Sequence, residues 1–218
     1  MKSLFAFAAV ILAAMFAYAP VVIHQAPYES TMGLVQKIFY FHVPSWIAMF
    51  SSATVCGVAS AVFLFKGRRG ADRLAVSAAE LTLVFGLIGL LTGPLWARKA
   101  WGVWWEWDAK LTSAFVMWLI FAAYLLLRRY GGEGSEKLAA VVGFFGMANW
   151  PFVYWSVNIW RTVHPKTTVV PTLPPPMLGP LLWCSAAFLG LFGLMLAARV
   201  QLENRRAALD TLYLSLED

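Results

Sequence analysis

The sequence predicts an all-α membrane protein of six transmembrane helices, with a tryptophan-rich amphipathic segment outside the membrane and both termini in the cytoplasm. Three observations carry that expectation. Of 218 residues, 61% are hydrophobic and only 13% charged, where a soluble domain carries about a quarter charged. Six apolar stretches approach the roughly 20 residues that cross a bilayer core. The basic residues are shared unequally between the two sets of connecting segments.

The spans fall at about 4–23, 46–65, 74–96, 110–127, 138–157 and 178–198, and residues 1–218 form a single polytopic membrane domain. The first span imitates a signal peptide, with Lys2, an apolar run and Ala17-Tyr18-Ala19 as a cleavage-like site. Pro20 follows at once and the apolar run continues through Ile23, so it reads as an anchor. Alternate connections, together with the two terminal segments, collect eleven of the 17 basic residues, among them Arg68, Arg69, Arg128 and Arg129. Positive charge favours the cytoplasmic side. The segments 24–45, 97–109 and 158–177 are therefore external, and they are longer and more aromatic than plain connectors.

The net charge of +6 is spread over loops, which argues against nucleic acid and for a lipid bilayer as surroundings. Cys56 and Cys184 lie in apolar stretches and read as small buried residues. No CxxCH occurs, so the chain is not itself a c-type cytochrome. No catalytic motif and no phosphate-cradling glycine loop is present, so the chain reads as a non-enzyme.

Chemistry concentrates in Trp101-Gly102-Val103-Trp104-Trp105-Glu106-Trp107-Asp108-Ala109-Lys110-Leu111-Thr112. On a helix, Trp101, Trp104, Trp105 and Asp108 would share one face. Indoles offer flat polarizable surface with an N–H at the edge, which suits a large planar ligand. Belt tryptophans at a membrane surface are the competing explanation, but those are scattered rather than clustered. Asp108 stands just before an apolar run, where it would cap the fourth helix. His42 lies in Phe39-Tyr40-Phe41-His42-Val43-Pro44-Ser45, with Pro44 set for a helix start. His164 follows the fifth span. These are two of only three histidines, on the same side and at the same depth as the tryptophans, and neutral imidazoles are common axial ligands of haem iron. His24 has no such setting and reads as structural. The external cations Arg98, Lys99, Lys110, Arg161 and Lys166 are candidates for the haem propionates, arginine best for its bidentate fork.

The stretch W-G-x-W-W-x-W-D-x-K-L-T resembles the tryptophan-rich signature of haem-handling proteins. The segments F-Y-F-H-V-P-S and S-V-N-I-W-R-T-V-H resemble the flanking histidine motifs of the heme exporter protein C family, over nearly the whole chain. The resemblance implies that His42 and His164 are axial ligands of haem b carried as cargo. Trp101, Trp104, Trp105, Trp107 and Asp108 would cradle the macrocycle. It further implies transfer to a periplasmic haem chaperone for cytochrome c biogenesis at the bacterial inner membrane. The implied partners are the membrane and ATPase subunits of an ABC transporter and a small single-span subunit. Lys110, Ile159, Arg161 and Pro165 depart from the residues usual in that pattern.

A b-type cytochrome electron-transfer subunit is the alternative, but such proteins hold haem between histidines inside spans. A solute transporter would carry buried charge near the midplane. Here Glu80 alone lies inside a predicted span, near its cytoplasmic end. Members of the related haem ligase system are longer.

Overall fold

The computed structural model describes residues 2–217. Six helices follow one another: α1 (Lys2–Gln25), α2 (Phe39–Lys66), α3 (Arg69–Trp101), α4 (Ala109–Tyr130), α5 (Ser135–Ile159) and α6 (Pro175–Glu217), with a 3-10 turn at Leu34–Ile38 before α2. Each of the six includes a stretch long and apolar enough to cross a membrane. An even number of crossings returns both termini to one end of the bundle. The segments 26–33, 102–108 and 160–174 gather at the far end.

Helix α2 is central, packed along α3, α5 and α6; α4 pairs with α5 and α3, and α1 lies outermost against α6. Small residues let the backbones close in, since lipid supplies no hydrophobic drive for helix association. Ala48, Ala53, Ala75, Ala78, Ala79 and Ala139 are all buried at the core contacts. Ser52 Oγ donates across the α2–α3 interface to the Ala78 carbonyl at 2.7 Å, and Trp118 Nε1 donates to the Leu83 carbonyl at 3.0 Å. Both cysteines are free and buried.

Three features differ from the sequence expectation. Helix α2 begins at Phe39 rather than near residue 46, so Pro44 lies inside the helix, not at its start. Proline there leaves the Tyr40 carbonyl without its intrahelical donor. Burial of Phe39 and Tyr40 against Trp96, Ala19 and Ile23 compensates. Helix α6 continues past residue 198 to Glu217. At its exit from the bundle Arg199 grips both oxygens of Glu80 (Nη2 to Oε1, 2.6 Å) and reaches Glu203 at 3.2 Å, so Glu80 is neutralised locally. At the same end Arg128 pairs with the buried Asp72 at 2.9 Å.

The third difference matters most for the site. Trp101 is the last residue of α3, and Gly102 ends the helix in the left-handed conformation at φ +80. Glycine tolerates that backbone at no steric cost, which makes it the usual helix stop. Residues 102–108 are therefore irregular. The helix face expected to carry Trp101, Trp104, Trp105 and Asp108 therefore does not form.

Candidate functional site

At the far end of the bundle α2, α3, α4, α5 and the 160–174 segment line a partly open cleft of about 200 Å³. Its walls are apolar and aromatic: Val43, Trp46 and Phe50 from α2, Trp96 and Trp101 from α3, Trp104 and Trp105 beyond it, and Val153, Tyr154 and Val157 from α5. The polar members are His42, Lys110, His164, Lys166 and Thr167, with no aspartate or glutamate among them. The lining is thus mainly aromatic and apolar, with two imidazoles and two lysines as its charged or titratable groups.

His42 sits in the second turn of α2 and is only 7% exposed. Its place depends on glycines of α3 one helical turn apart. A Cβ on Gly93 would lie 3.3 Å from His42 Cε1, and one on Gly89 would lie 2.6 Å from the Trp46 ring. The His42 Nδ1 lies 3.0 Å from Thr92 Oγ1. The Thr92 hydroxyl gives its single proton to the Ile88 carbonyl at 2.7 Å. With its proton on that carbonyl the Thr92 oxygen accepts from the imidazole, and this arrangement puts the ring proton on Nδ1 and the lone pair on Nε2.

His164 reaches the cleft from the 160–174 segment and arrives at the same tautomer by another route. Its Nδ1 lies 3.0 Å from the Pro165 carbonyl. A carbonyl has no proton to give, so Nδ1–H donates and Nε2 keeps its lone pair. Burial, then the Lys110 ammonium, push the His164 imidazolium pKa down to about 4. The ring is neutral at physiological pH. An aromatic path joins the two imidazoles: His42 to Trp96 at 5.7 Å, Trp96 stacked on Trp101 at 6.4 Å, and Trp101 to His164 at 6.2 Å between ring centroids.

The tryptophan segment divides by position. Trp101, Trp104 and Trp105 line the cleft. The Trp105 Nε1 is buried and has no hydrogen-bond partner among the described residues. A donor so placed is costly unless a ligand or water receives it. Trp107 is 72% exposed, edge-on to Trp105 and Phe115, and lies outside the lining. Asp108 also lies outside it. Its Oδ1 accepts from the Leu111 amide at 2.8 Å as the N-cap of α4, and its Oδ2 takes bonds from Thr162 and Val163.

The cations divide likewise. Lys110 reaches the cleft, with Nζ on the Val153 carbonyl at 2.9 Å, and the exposed Lys166 stands at the mouth. Arg98 is exposed and turns onto the Gly102 carbonyl, while Arg161 is exposed and away from the lining. His24 is exposed at the end of α1, where its carbonyl and those of Ile23 and Ala26 receive Lys37 Nζ. Sequence reasoning missed Trp96 and Thr92. Trp96 is buried between Phe39 and His42, with its Nε1 3.1 Å from Met32 Sδ. Nothing in the local sequence singled out a tryptophan and a threonine already inside a predicted span.

Fold and site together define a polytopic membrane protein with an aromatic, histidine-bearing cleft at the bundle end opposite its termini. The chain belongs to the heme exporter protein C family, whose model matches residues 1–213. It is 34% identical over 196 residues to heme exporter protein C of Bradyrhizobium diazoefficiens, covering 87% of this chain and 74% of that one. The protein of the same name in Escherichia coli K12 is 30% identical over 201 residues, covering 87% and 80%. That of Haemophilus influenzae is 27% identical over 187 residues, covering 82% and 75%.

Proposed function

We propose that the cleft holds haem as cargo, ligated through His42 Nε2 and His164 Nε2, and delivers it to a periplasmic haem chaperone for cytochrome c biogenesis. One observation carries the reading: two histidines in one carboxylate-free cleft each have Nδ1 engaged by a hydrogen-bond partner, which leaves Nε2 free to ligate. A second hydrogen bond that fixes the tautomer is the usual setting of a metal-ligating histidine. The heme exporter relatives supply the prior that the ligand is haem.

The chain's chemistry is holding rather than bond-making in the porphyrin. Iron carried between two imidazoles has both axial positions filled, which suppresses reaction with oxygen while the cargo waits. Trp96, Trp101, Trp104 and Trp105 offer ring surface to the macrocycle. Lys110, Lys166 and the unpaired Trp105 N–H receive the propionates, each as a donor to a carboxylate. Arg98 and Arg161, being outside the cleft, have no part in this. Release exchanges one iron–nitrogen bond for a ligand on the chaperone, with no net transfer of electrons. Lys110 and the partly buried His164 share a wall, so departure from the His164 side breaks both contacts together.

The charge bias of the connections supports a reading with both termini in the cytoplasm and the cleft at the periplasmic surface of the inner membrane. The chain then works beside an ABC transporter, its ATPase and a small single-span subunit, the ATPase supplying the energy for release. The test is haem that copurifies with the detergent-solubilised protein and then passes to the purified chaperone. Native protein should load and transfer. Retention and transfer left intact in the His42→Ala, His164→Ala double variant would refute the assignment.

A further inference from the structure

We propose that Asp108 and Thr162 are positioning residues: together they form a polar latch between the N-terminus of α4 and the 160–174 segment that sets where His164 enters the cleft. The inference rests on the reading of His164 as a haem ligand and adds how that ligand is held.

The geometry is a short chain of bonds with a carboxylate at its centre. Asp108 Oδ1 accepts the Leu111 amide of α4 at 2.8 Å. Asp108 Oδ2 accepts the Thr162 hydroxyl and, at 3.2 Å, the Val163 amide. The Thr162 oxygen, its proton spent on Asp108, accepts the His164 amide at 3.0 Å. Three consecutive residues, 162 to 164, are thus tied to one aspartate on another element. The segment's remaining bonds are internal or at its base: Asn158 to Thr167 at 2.9 Å, His164 Nδ1 to its neighbour Pro165, and the turn bonds of 166–173. Without the latch the backbone of 162–164 would lose its hydrogen bonds to α4, leaving the ring contact with Trp101 to place the histidine.

A cap and a latch make different demands on residue 108. A helix cap needs one acceptor oxygen, and asparagine supplies that as well as aspartate. The latch needs the second oxygen to accept from two donors at once. In Asp108→Asn the second atom becomes an NH2 group, which turns a donor toward the Val163 amide. The latch therefore predicts damage from a substitution that the cap alone tolerates. It also explains why an aspartate in the tryptophan segment bears on a histidine more than fifty residues away in sequence.

The experiment uses the full-length protein in detergent, without haem, and reads amide hydrogen exchange by mass spectrometry. The variants are Asp108→Asn, Thr162→Val and Thr162→Ser. Asp108→Asn and Thr162→Val should speed exchange across 162–164 by about tenfold, the loss expected for one hydrogen bond, while the first turn of α4 stays protected in Asp108→Asn. Thr162→Ser keeps the hydroxyl and should match the native protein. In the haem-loaded arm the two damaging variants should lose haem, and exogenous imidazole should restore part of it. Native exchange at 162–164 in Thr162→Val would overturn the proposal, as would Asp108→Asn exchange raised in α4 but not at 162–164. If the latch variants loosen 162–164 while His164→Ala keeps haem with a native spectrum, the ligand reading has failed and the latch positions a residue of another use.

Discussion

Replacing Thr92 by valine removes one hydroxyl and almost no volume, so it tests the His42 tautomer without opening a cavity. In the native protein the Thr92 oxygen accepts the His42 Nδ1–H at 3.0 Å while donating to Ile88. Valine leaves that buried N–H with nothing to meet, on a ring only 7% exposed. An orphaned buried donor costs about 1–3 kcal/mol, which corresponds to roughly 5- to 150-fold in an equilibrium. The ring escapes the cost by rotating or by moving its proton to Nε2, and either move removes the lone pair that iron needs. Haem affinity should therefore fall within that range, while helix content and thermal unfolding of the haem-free protein change little. Thr92→Ser, which keeps the oxygen, should recover most of the loss. The assay is haem titration of the apoprotein followed at the Soret band, with circular dichroism as the control for folding. Affinity within twofold of native in Thr92→Val would show that the Thr92 bond does not set the ligand, and the tautomer argument for His42 would have to be abandoned.

Other outcomes follow from the same geometry. Trp105→Ala should lower haem retention and transfer because Trp105 lines the cleft with a free N–H, whereas Trp107→Ala, at a residue 72% exposed and outside the lining, should leave retention near native; retention measured side by side decides it, and equal losses would contradict the division. Because the His164 imidazole is held neutral to about 4, protons should not compete for its lone pair near the ordinary histidine value of about 6.5. Haem loading should stay flat through that region and fall only as the pH nears about 4; a midpoint near the ordinary value would mean the ring is solvated. A cysteine placed at Val103 should react with a membrane-impermeant maleimide in intact spheroplasts. Reaction only after permeabilisation would invert the orientation and put the cleft in the cytoplasm.

The spans were legible because lipid leaves few choices: a long apolar run must be a helix. The Asp108 cap was legible too, since an aspartate before an apolar run has one obvious local role, and Leu111 fulfils it. Its second oxygen was not, because the donors come from Thr162 and Val163, which only folding brings near. The irregular path of 102–108 could have been read from Gly102, a helix stop at the end of an apolar run. Helical spacing among the tryptophans competes with that glycine, and the glycine prevails. The early start of α2 was hidden by Pro44, whose local preference is overridden by burial of Phe39 and Tyr40. Which cations face the cleft could not be read at all. Lys110 and Arg98 flank the same motif, and only the turn at Gly102 sends one inward and keeps the other on a backbone carbonyl.

The central claim is that His42 and His164 are the two axial ligands, and electron paramagnetic resonance of the ferric haem-loaded protein tests it most directly. Native protein should give a low-spin signal typical of two imidazoles. His42→Ala and His164→Ala should each convert it to high spin, with added imidazole restoring low spin in both, while His24→Ala leaves the native signal. A native low-spin signal in either His42→Ala or His164→Ala would contradict the account.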